Sequence, residues 1–236
     1  MTRPFAIRPT SACKIELRVP PRPQTNVLYE HTNLGLDLLA LDRLDDAKAA
    51  FDQARARKLE GWTLRLFTYY LAFLQGDLAQ MERQLSWGEG KPGAEDPLLS
   101  AQSDTDAYHG RLTKARDFTR RAVDSAIRAD SKETAALWQA NAALREVEFG
   151  NAAAAKQGVT AALALAPGRD VKVLGALALA RVGDTARAKA MIEKLEKSNP
   201  TNTVLKLYWL PTLKAAIELN GGNSAQALES MESIQD

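Results

Sequence analysis

The chain has 236 residues, of which 45% are hydrophobic and 25% are charged, as in folded globular proteins and unlike disordered ones. The formal net charge of +2 is unevenly distributed. Residues 1–24 hold five basic side chains and one acidic side chain, a net +4, so residues 25–236 carry −2. Because nucleic-acid backbones attract an excess of basic groups, and the body of the chain lacks one, we expect no nucleic-acid partner.

Cysteine content and hydropathy exclude two further classes of protein. Cys13 is the single cysteine, which excludes an internal disulfide framework and a cysteine-rich metal site. The most apolar later run, residues 173–182, contains Arg181 and is too short to span a bilayer. No apolar stretch typical of a secretory signal precedes Cys13. We therefore expect a cytoplasmic chain without a membrane span, a metal or a cofactor.

Residues 1–25 form a segment that is rich in proline and in basic residues. Its five prolines stand at positions 4, 9, 20, 21 and 23, and each of them fixes φ and removes a backbone hydrogen-bond donor. A long helix is therefore excluded, and we expect a flexible linker or a disordered arm. An arm that binds a partner is the alternative.

From residue 26 onward the sequence repeats one pattern of turn and packing residues. It is clearest after Gly150, which is followed by the small Ala155, the bulky Val159 and the small Ala162. Six turn residues stand 34, 34, 40, 33 and 39 positions apart: Asp42, Gly76, Gly110, Gly150, Gly183 and Gly222. Such a period indicates one helix pair per repeat, with small side chains where two helices cross closely. The two longer spacings predict extended helices before Gly150 and Gly222.

This pattern resembles the tetratricopeptide repeat family over residues 26–236. The first repeat is the most similar, with Gly35, Ala47, Phe51 and Ala54 at the family's positions. In the second repeat Met81 replaces the small residue after the turn. The resemblance implies an all-α fold, an α-solenoid of about six antiparallel helix pairs that form a superhelix.

Four segments resemble a particular subgroup, the tetratricopeptide region that follows the kinase domain in some bacterial serine/threonine protein kinases, the Acidobacteria type especially. They are residues 90–123, 133–157, 166–184 and 208–223. In that family the repeats are a sensing or docking appendage. The chain contains no kinase motifs, so the resemblance implies no enzymatic activity. One functional hypothesis is therefore a docking appendage of a kinase signalling protein.

The family resemblance also implies where a partner binds, because the first helix of each pair lines the concave surface. On these helices it places aromatic, apolar and charged residues in the groove: Tyr29, Leu66, Tyr70, Phe73, Asp104, Tyr108, Leu144, Glu148 and Arg181. Aromatic side chains beside a few charges suit an apolar peptide with polar contacts that set its register. We therefore favour a non-catalytic scaffold, monomeric or weakly self-associating, that binds a protein or peptide. Packing of the apolar members in the core is the alternative interpretation.

Two other patterns weakly resemble chemical sites. Residues 88–93 match the glycine spacing of dinucleotide-binding loops. Pro92 interrupts them and a helix is expected before them, so a turn between repeats is the better interpretation. His109 lies near Asp104 and Asp106, and a hydrolase with a carboxylate–histidine relay is therefore a third hypothesis.

Residues 111–128 contain six basic side chains, with Asp117 and Asp124 between them. Opposite charges four positions apart lie on the same face of a helix, so we predict the pairs Asp117 with Arg121 and Asp124 with Arg128. The segment is then an ordinary solvated helix face, with a patch for an acidic partner as the alternative.

Overall fold

Twelve α-helices make up most of the part of the chain that the computed structural model describes, residues 24–232. They are α1 (Gln24–Ala40), α2 (Leu44–Ala56), α3 (Trp62–Gln75), α4 (Leu78–Gly88), α5 (Glu95–Tyr108), α6 (Leu112–Arg128), α7 (Lys132–Glu148), α8 (Ala152–Leu165), α9 (Arg169–Arg181), α10 (Thr185–Ser198), α11 (Leu210–Asn220) and α12 (Ser224–Glu232). No strand occurs between residues 24 and 232, which confirms the predicted all-α class. Helix α1 already includes Gln24 and Thr25. The rest of the predicted N-terminal linker lies outside the described residues.

The six predicted turn residues end the first helix of each of six helix pairs. All six have positive φ, from 57° at Asp42 to 79° at Gly222. At Gly150 the N–H of Asn151 donates to the carbonyl of Glu146 at 2.8 Å. In this arrangement a left-handed residue lets the helix satisfy its last carbonyls, and glycine adopts that conformation without a steric penalty. The predicted turn positions are confirmed.

Small residues stand where the two helices of a pair cross. An added Cβ on Gly35 would lie 2.0 Å from a ring atom of Phe51, and one on Gly158 would lie 2.9 Å from the Cβ of Ala143. Ala155, at the predicted small position after the fourth turn, is fully buried. The small side chains therefore allow the close approach of backbones on which this packing depends.

The helices pack mainly against their neighbours in the chain. The two helices of each pair are in contact, from α1 with α2 to α11 with α12. First helices of successive pairs also pack together, α1 with α3, α3 with α5, α7 with α9 and α9 with α11. Helices α5 and α7 are the exception, because their backbones hardly approach each other. The third and fourth pairs meet instead through α6 and α7.

The two longer spacings correspond to longer helices, as predicted. Helices α6 and α7 have 17 residues each and account for the spacing before Gly150. Before Gly222, a π-helical stretch, Leu205–Trp209, runs directly into α11. Pro211 explains the wider turn, because proline has no N–H to donate and its ring clashes with the carbonyl four residues earlier.

Apolar side chains form separate cores in the two halves of the chain. One cluster packs residues of α1–α3 around Phe51, and another packs residues of α3–α5 around Tyr69. Side chains from α7 to α11 share a cluster that includes Leu179 and Leu213, and α7, α8 and α9 share a smaller one. None of these four clusters joins α5 or α6 to α7. The junction of α5 and α6 with α7, called here the central junction, is held by other contacts.

Candidate functional site

A cavity of about 700 Å³ lies between α3, α5 and α7, where α5 and α7 diverge. We call it the central cavity. Its wall carries four aromatic side chains: Tyr70, Tyr108, Trp138 and Phe149. Its charged side chains are those of Asp104, Arg145 and Glu148. A concave wall that combines aromatic side chains with convergent polar groups is typical of a binding site.

Six of the nine predicted groove residues line the central cavity together: Leu66, Tyr70, Asp104, Tyr108, Leu144 and Glu148. Phe73 lies beside the wall, with its ring centroid 5.4 Å from that of Tyr108. Arg181, on α9, reaches the rim through an ion pair with Glu148. Tyr29 is exposed on α1 and does not line this cavity.

The apolar members of the predicted groove also belong to the core. Leu66 is buried in the cluster around Tyr69, and Leu144 packs against the cluster shared by α7 to α11. Both side chains nevertheless line the central cavity. Each of these leucines therefore contacts the core and also forms part of the cavity wall, so both interpretations apply to it.

Trp138, Asn141, Arg145 and Phe149 also line the cavity, although the family pattern does not predict them. That pattern places Leu144 and Glu148 of α7 in the groove, and both of them line the cavity. Positions 138, 141, 144 and 148 are separated by three, three and four residues, so they lie on one face of the helix. This periodicity is the signal that identifies Trp138 and Asn141.

Arg145 connects α7 to α5 and α6 through hydrogen bonds to three side chains. Its Nη1 donates to Ser103 Oγ at 2.7 Å and to Thr119 Oγ1 at 3.1 Å. Its Nη2 donates to Asp104 Oδ1 at 2.6 Å. Only 11% of the side chain is exposed. Because the guanidinium presents its donors in a rigid fork, it keeps the three helices at a set separation.

Trp138 is held in the cavity wall by a buried carboxylate of α5. Its indole N–H donates to Asp96 Oδ2 at 2.9 Å. Asp96 is 4% exposed, and its Oδ1 accepts no hydrogen bond from any described residue. Burial raises the pKa of the Asp96 carboxyl, and the bond from Trp138 opposes that rise. The indole is therefore oriented by a group whose charged form is costly to bury.

Asp104 presents the cavity with a carboxylate that is only partly engaged. Its Oδ1 accepts the bond from Arg145, whereas its Oδ2 accepts none from the described residues. The side chain is 64% exposed, yet the surrounding walls raise the pKa of Asp104 by desolvation, against the effect of the Arg145 guanidinium. Desolvation also raises the pKa of Tyr70, with a further contribution from the charge of Asp104.

Glu148 and Arg181 form an ion pair at the rim of the cavity, between α7 and α9. The Arg181 guanidinium donates to both carboxylate oxygens of Glu148, from Nη2 to Oε2 at 3.1 Å. Both side chains are about half exposed. Solvent therefore screens the pair, so its contribution to stability is small and Glu148 is open to exchange of partners.

The carboxylate–histidine relay of the third hypothesis does not come together. His109 is exposed, and its ring lies edge-on to that of Tyr108 with the centroids 5.3 Å apart. Asp104 is engaged by an arginine of α7, and Asp106 Oδ1 accepts a hydrogen bond from Arg111 Nε at 2.6 Å. Both carboxylates that could have paired with His109 are thus hydrogen-bonded to arginines instead.

The glycine-rich residues 88–93 form the turn between α4 and α5, as predicted. Gly88 is the last residue of α4, and the N–H of Gly90 donates to Glu95 Oε1 at 3.2 Å. In a phosphate-binding loop, backbone N–H groups donate to the phosphate. Here the N–H of Gly90 donates instead to a carboxylate of the same chain.

The ion pairs of α6 differ from those predicted. Asp117 pairs with Arg120 rather than with Arg121, and Arg128 pairs with Glu95 of α5 at 2.9 Å rather than with its predicted partner in α6. Residues three positions apart share a helix face just as residues four apart do, so Asp117 can pair with Arg120. The partner of Arg128 lies on another helix, α5, and spacing within α6 cannot identify it. Both predicted pairs are wrong.

Comparison with known proteins does not assign the chain to a family. No protein-family model matches it, and no curated protein is significantly similar to it. Among the described residues, no group of three or more His, Cys, Asp or Glu side chains is placed to hold a metal ion. None of the helices in that part of the chain is both long and apolar enough to cross a bilayer. The central cavity is therefore the basis on which a function is inferred.

Proposed function

We propose that the chain is a non-catalytic scaffold, a tetratricopeptide-like α-solenoid whose superhelix binds a protein or peptide in its concave groove. The observation that carries this proposal is the central cavity, in which residues from the first helices of three successive pairs meet. Six turns with the same backbone conformation, and contacts mainly between adjacent pairs, support the repeat architecture.

The proposed mechanism is recognition by a preformed surface. Apolar side chains of the partner pack against the rings of Tyr70, Tyr108 and Trp138, and polar groups at Asp104 and Asn141 set the register of the bound segment. Because Phe67 stacks on Tyr70 and Asp96 is bonded to Trp138, these two rings lose little conformational entropy when the partner binds.

Selection from a random peptide library displayed on phage, against the immobilised chain, tests the proposal. Tyr108→Ala is the groove variant, because this ring is 77% exposed and its removal disturbs little packing. Tyr208→Ala is the matched control, an exposed tyrosine that also makes an edge-on contact and does not line the cavity. Far-UV circular dichroism of both variants establishes that their helix content is unchanged.

We expect peptides enriched on the wild-type chain to bind Tyr108→Ala at least about fivefold more weakly, because truncation of an aromatic side chain that anchors a partner commonly removes more than about 1 kcal/mol of binding energy. Binding to Tyr208→Ala should equal that to the wild-type chain. Enriched peptides with equal affinity for all three proteins, or no enrichment at all, would contradict a peptide-binding groove at this cavity.

The second candidate function is that of a sensing or docking appendage in a bacterial serine/threonine kinase signalling protein. The four segments that resemble such appendages support it. It uses the same groove and differs in the identity of the partner. The DNA that precedes the codon for Met1 tests it: kinase motifs in the same frame are the expected result, and their absence there counts against a covalent appendage.

A further inference from the structure

The aromatic wall of the central cavity is held in position by contacts beside it. The Tyr70 ring stacks with that of Phe67 at a centroid distance of 6.3 Å, and the Trp138 indole is bonded to Asp96 at 2.9 Å. The faces of aromatic rings carry negative electrostatic potential and attract ammonium and guanidinium groups. Rings fixed in this way are suited to surround the methylene chain and the charged end of a cationic side chain.

Two carboxylates line the cavity, and each is paired with an arginine, Asp104 with Arg145 and Glu148 with Arg181. Asp104 and Glu148 line it with carboxylates, and Arg145 is the basic residue among the lining residues. The guanidinium of Arg145 is largely buried and is engaged by three side chains. Asp104 keeps its Oδ2 without a hydrogen bond from the described residues. The acceptor that the cavity leaves open is therefore a carboxylate oxygen, which is complementary to a cation rather than to an anion.

Arg181 shows how a guanidinium is accommodated at this rim. It comes from α9 and donates to both carboxylate oxygens of Glu148. Because the pair is half exposed, its exchange for another cation costs little. A basic side chain that enters from the groove would therefore compete with Arg181 for Glu148.

We propose that the central cavity binds a lysine or arginine side chain of the partner, with the charged end on Asp104 and the methylene chain against the rings of Tyr70, Tyr108 and Trp138. This inference rests on the proposed function, of which it specifies the chemistry of the partner. Glu148 is the second acceptor for the bound cation once Arg181 moves aside.

Peptides enriched on the wild-type chain supply the first test. Each is resynthesised with a fluorescent label and with its lysines and arginines replaced one at a time by norleucine, and affinities are measured by fluorescence anisotropy. One replacement in each peptide should weaken binding by about tenfold or more, as expected for loss of a charge-assisted contact. The difference should diminish at high salt because salt screens the contact.

Two variants of the chain supply a second test, with effects of opposite sign. Asp104→Asn should weaken binding of the same peptides by about tenfold. Arg181→Gln should strengthen it by about twofold to fivefold, because Glu148 loses a competing cation. Asp37→Asn, an exposed carboxylate on α1 that does not line the cavity, is the matched control and should change nothing. Opposite signs from two variants cannot arise from a general loss of structure.

A third measurement needs no selected peptide. Nα-acetyl-lysine methylamide at millimolar concentration should shift the indole N–H resonance of Trp138 in ¹H–¹⁵N correlation spectra, with the resonance assigned by Trp138→Phe. Nα-acetyl-norleucine methylamide is the matched probe without charge and should leave the resonance in place. No shift with the lysine probe, or equal shifts with both probes, would overturn the proposed cation site.

The outcomes separate this inference from the function on which it rests. Enriched peptides that require Tyr108 but contain no required lysine or arginine, or that require acidic residues, overturn the cation site and leave the groove function intact. Peptides that bind without regard to Tyr108 overturn the groove function itself.

Discussion

The C-terminal half of the chain and the central junction show two ways of joining helix pairs. From α7 to α11 the pairs share one apolar cluster, in which Leu179 and Leu213 are fully buried. Across the gap between α5 and α7 the contacts are hydrogen bonds and an ion pair made by Trp138 and Arg145, and Glu146 of α7 pairs with Arg116 of α6. Small side chains let two helices approach closely. The cavity lies between α5 and α7, where polar side chains span the gap.

The two regions are therefore expected to respond differently to pH. Burial of apolar surface does not depend on the charge of any group. In contrast, Glu146 accepts two hydrogen bonds of 2.7 Å from Arg116. The hydrogen bonds from that arginine are the main cause of the lowered pKa of Glu146, and desolvation acts in the opposite direction. Acid should weaken the central junction before it affects the apolar cluster.

The largest effect is expected in the apolar region. Leu179→Ala should lower the free energy of unfolding by about 2 to 5 kcal/mol, because it removes a fully buried side chain and leaves a cavity. Urea unfolding followed by circular dichroism measures it, and the loss should be the same at neutral and at acidic pH. Leu228→Ala, at an exposed position, is the control and should stay within about 0.5 kcal/mol of the wild type. A loss that changes with pH would contradict the distinction between the regions.

A smaller effect is expected at the central junction. Glu146→Gln should lower the free energy of unfolding by about 1 to 2 kcal/mol at neutral pH, because it weakens a pair whose arginine is half exposed. The folded pKa of Glu146 lies below its ordinary value, so the charged form stabilises the fold above the unfolded pKa of about 4.3 and this contribution is lost as the pH falls through the folded pKa. The variant and the wild type should therefore converge in acid.

Urea unfolding at a series of pH values measures that convergence. Glu148→Gln is the matched control, because its pair with Arg181 is exposed on both sides and should contribute little at any pH. A difference between Glu146→Gln and the wild type that stays constant as the pH falls would mean that the ion pair does not account for the stability of the junction.

The smallest effect, with the opposite sign, is expected for Asp96→Asn. The substitution should raise the free energy of unfolding by up to about 1 kcal/mol at neutral pH, because it removes a buried charge and keeps an acceptor for Trp138. The folded pKa of Asp96 is raised, so the stability of the wild type falls as the pH rises from about 3.9, the unfolded value, through the folded pKa. The difference in stability between Asp96→Asn and the wild type should therefore be absent at lower pH and grow as the pH rises through this range.

The same urea series, read against the control Asp37→Asn, measures this gain. A loss of stability for Asp96→Asn at neutral pH would show that the negative charge itself holds Trp138 and with it the central junction. Such a result would make the contrast between the two regions sharper, because even the buried carboxylate would then be stabilising.

The features that the sequence predicts correctly depend on few residues at short range. Positive φ at the six turns follows from glycine or aspartate beside the last turn of a helix. Burial of Ala155 follows from its spacing after Gly150. The longer α6 and α7 follow from the wider interval between turns. Each of these features is decided by residues close together in the sequence.

The candidate site is predictable only in part, because its contacts join different helix pairs. Arg145 and Ser103 are 42 positions apart, as are Trp138 and Asp96. Spacing along one helix shows which residues share a face, but not how far the next helix is rotated or displaced. For this reason the pattern finds six residues of the cavity wall and overlooks Arg145.

By itself the sequence determined that the chain is all-α and where its helix pairs turn, since helix periodicity and turn conformation are local properties. Only the tertiary structure decided that α5 and α7 stand apart and that the cavity with its aromatic and acidic wall lies between them. The physical reason is that the separation of two helices depends on the side chains of both at once. At this junction the buried donors of Arg145 and the acceptors of α5 and α6 must satisfy each other across the gap.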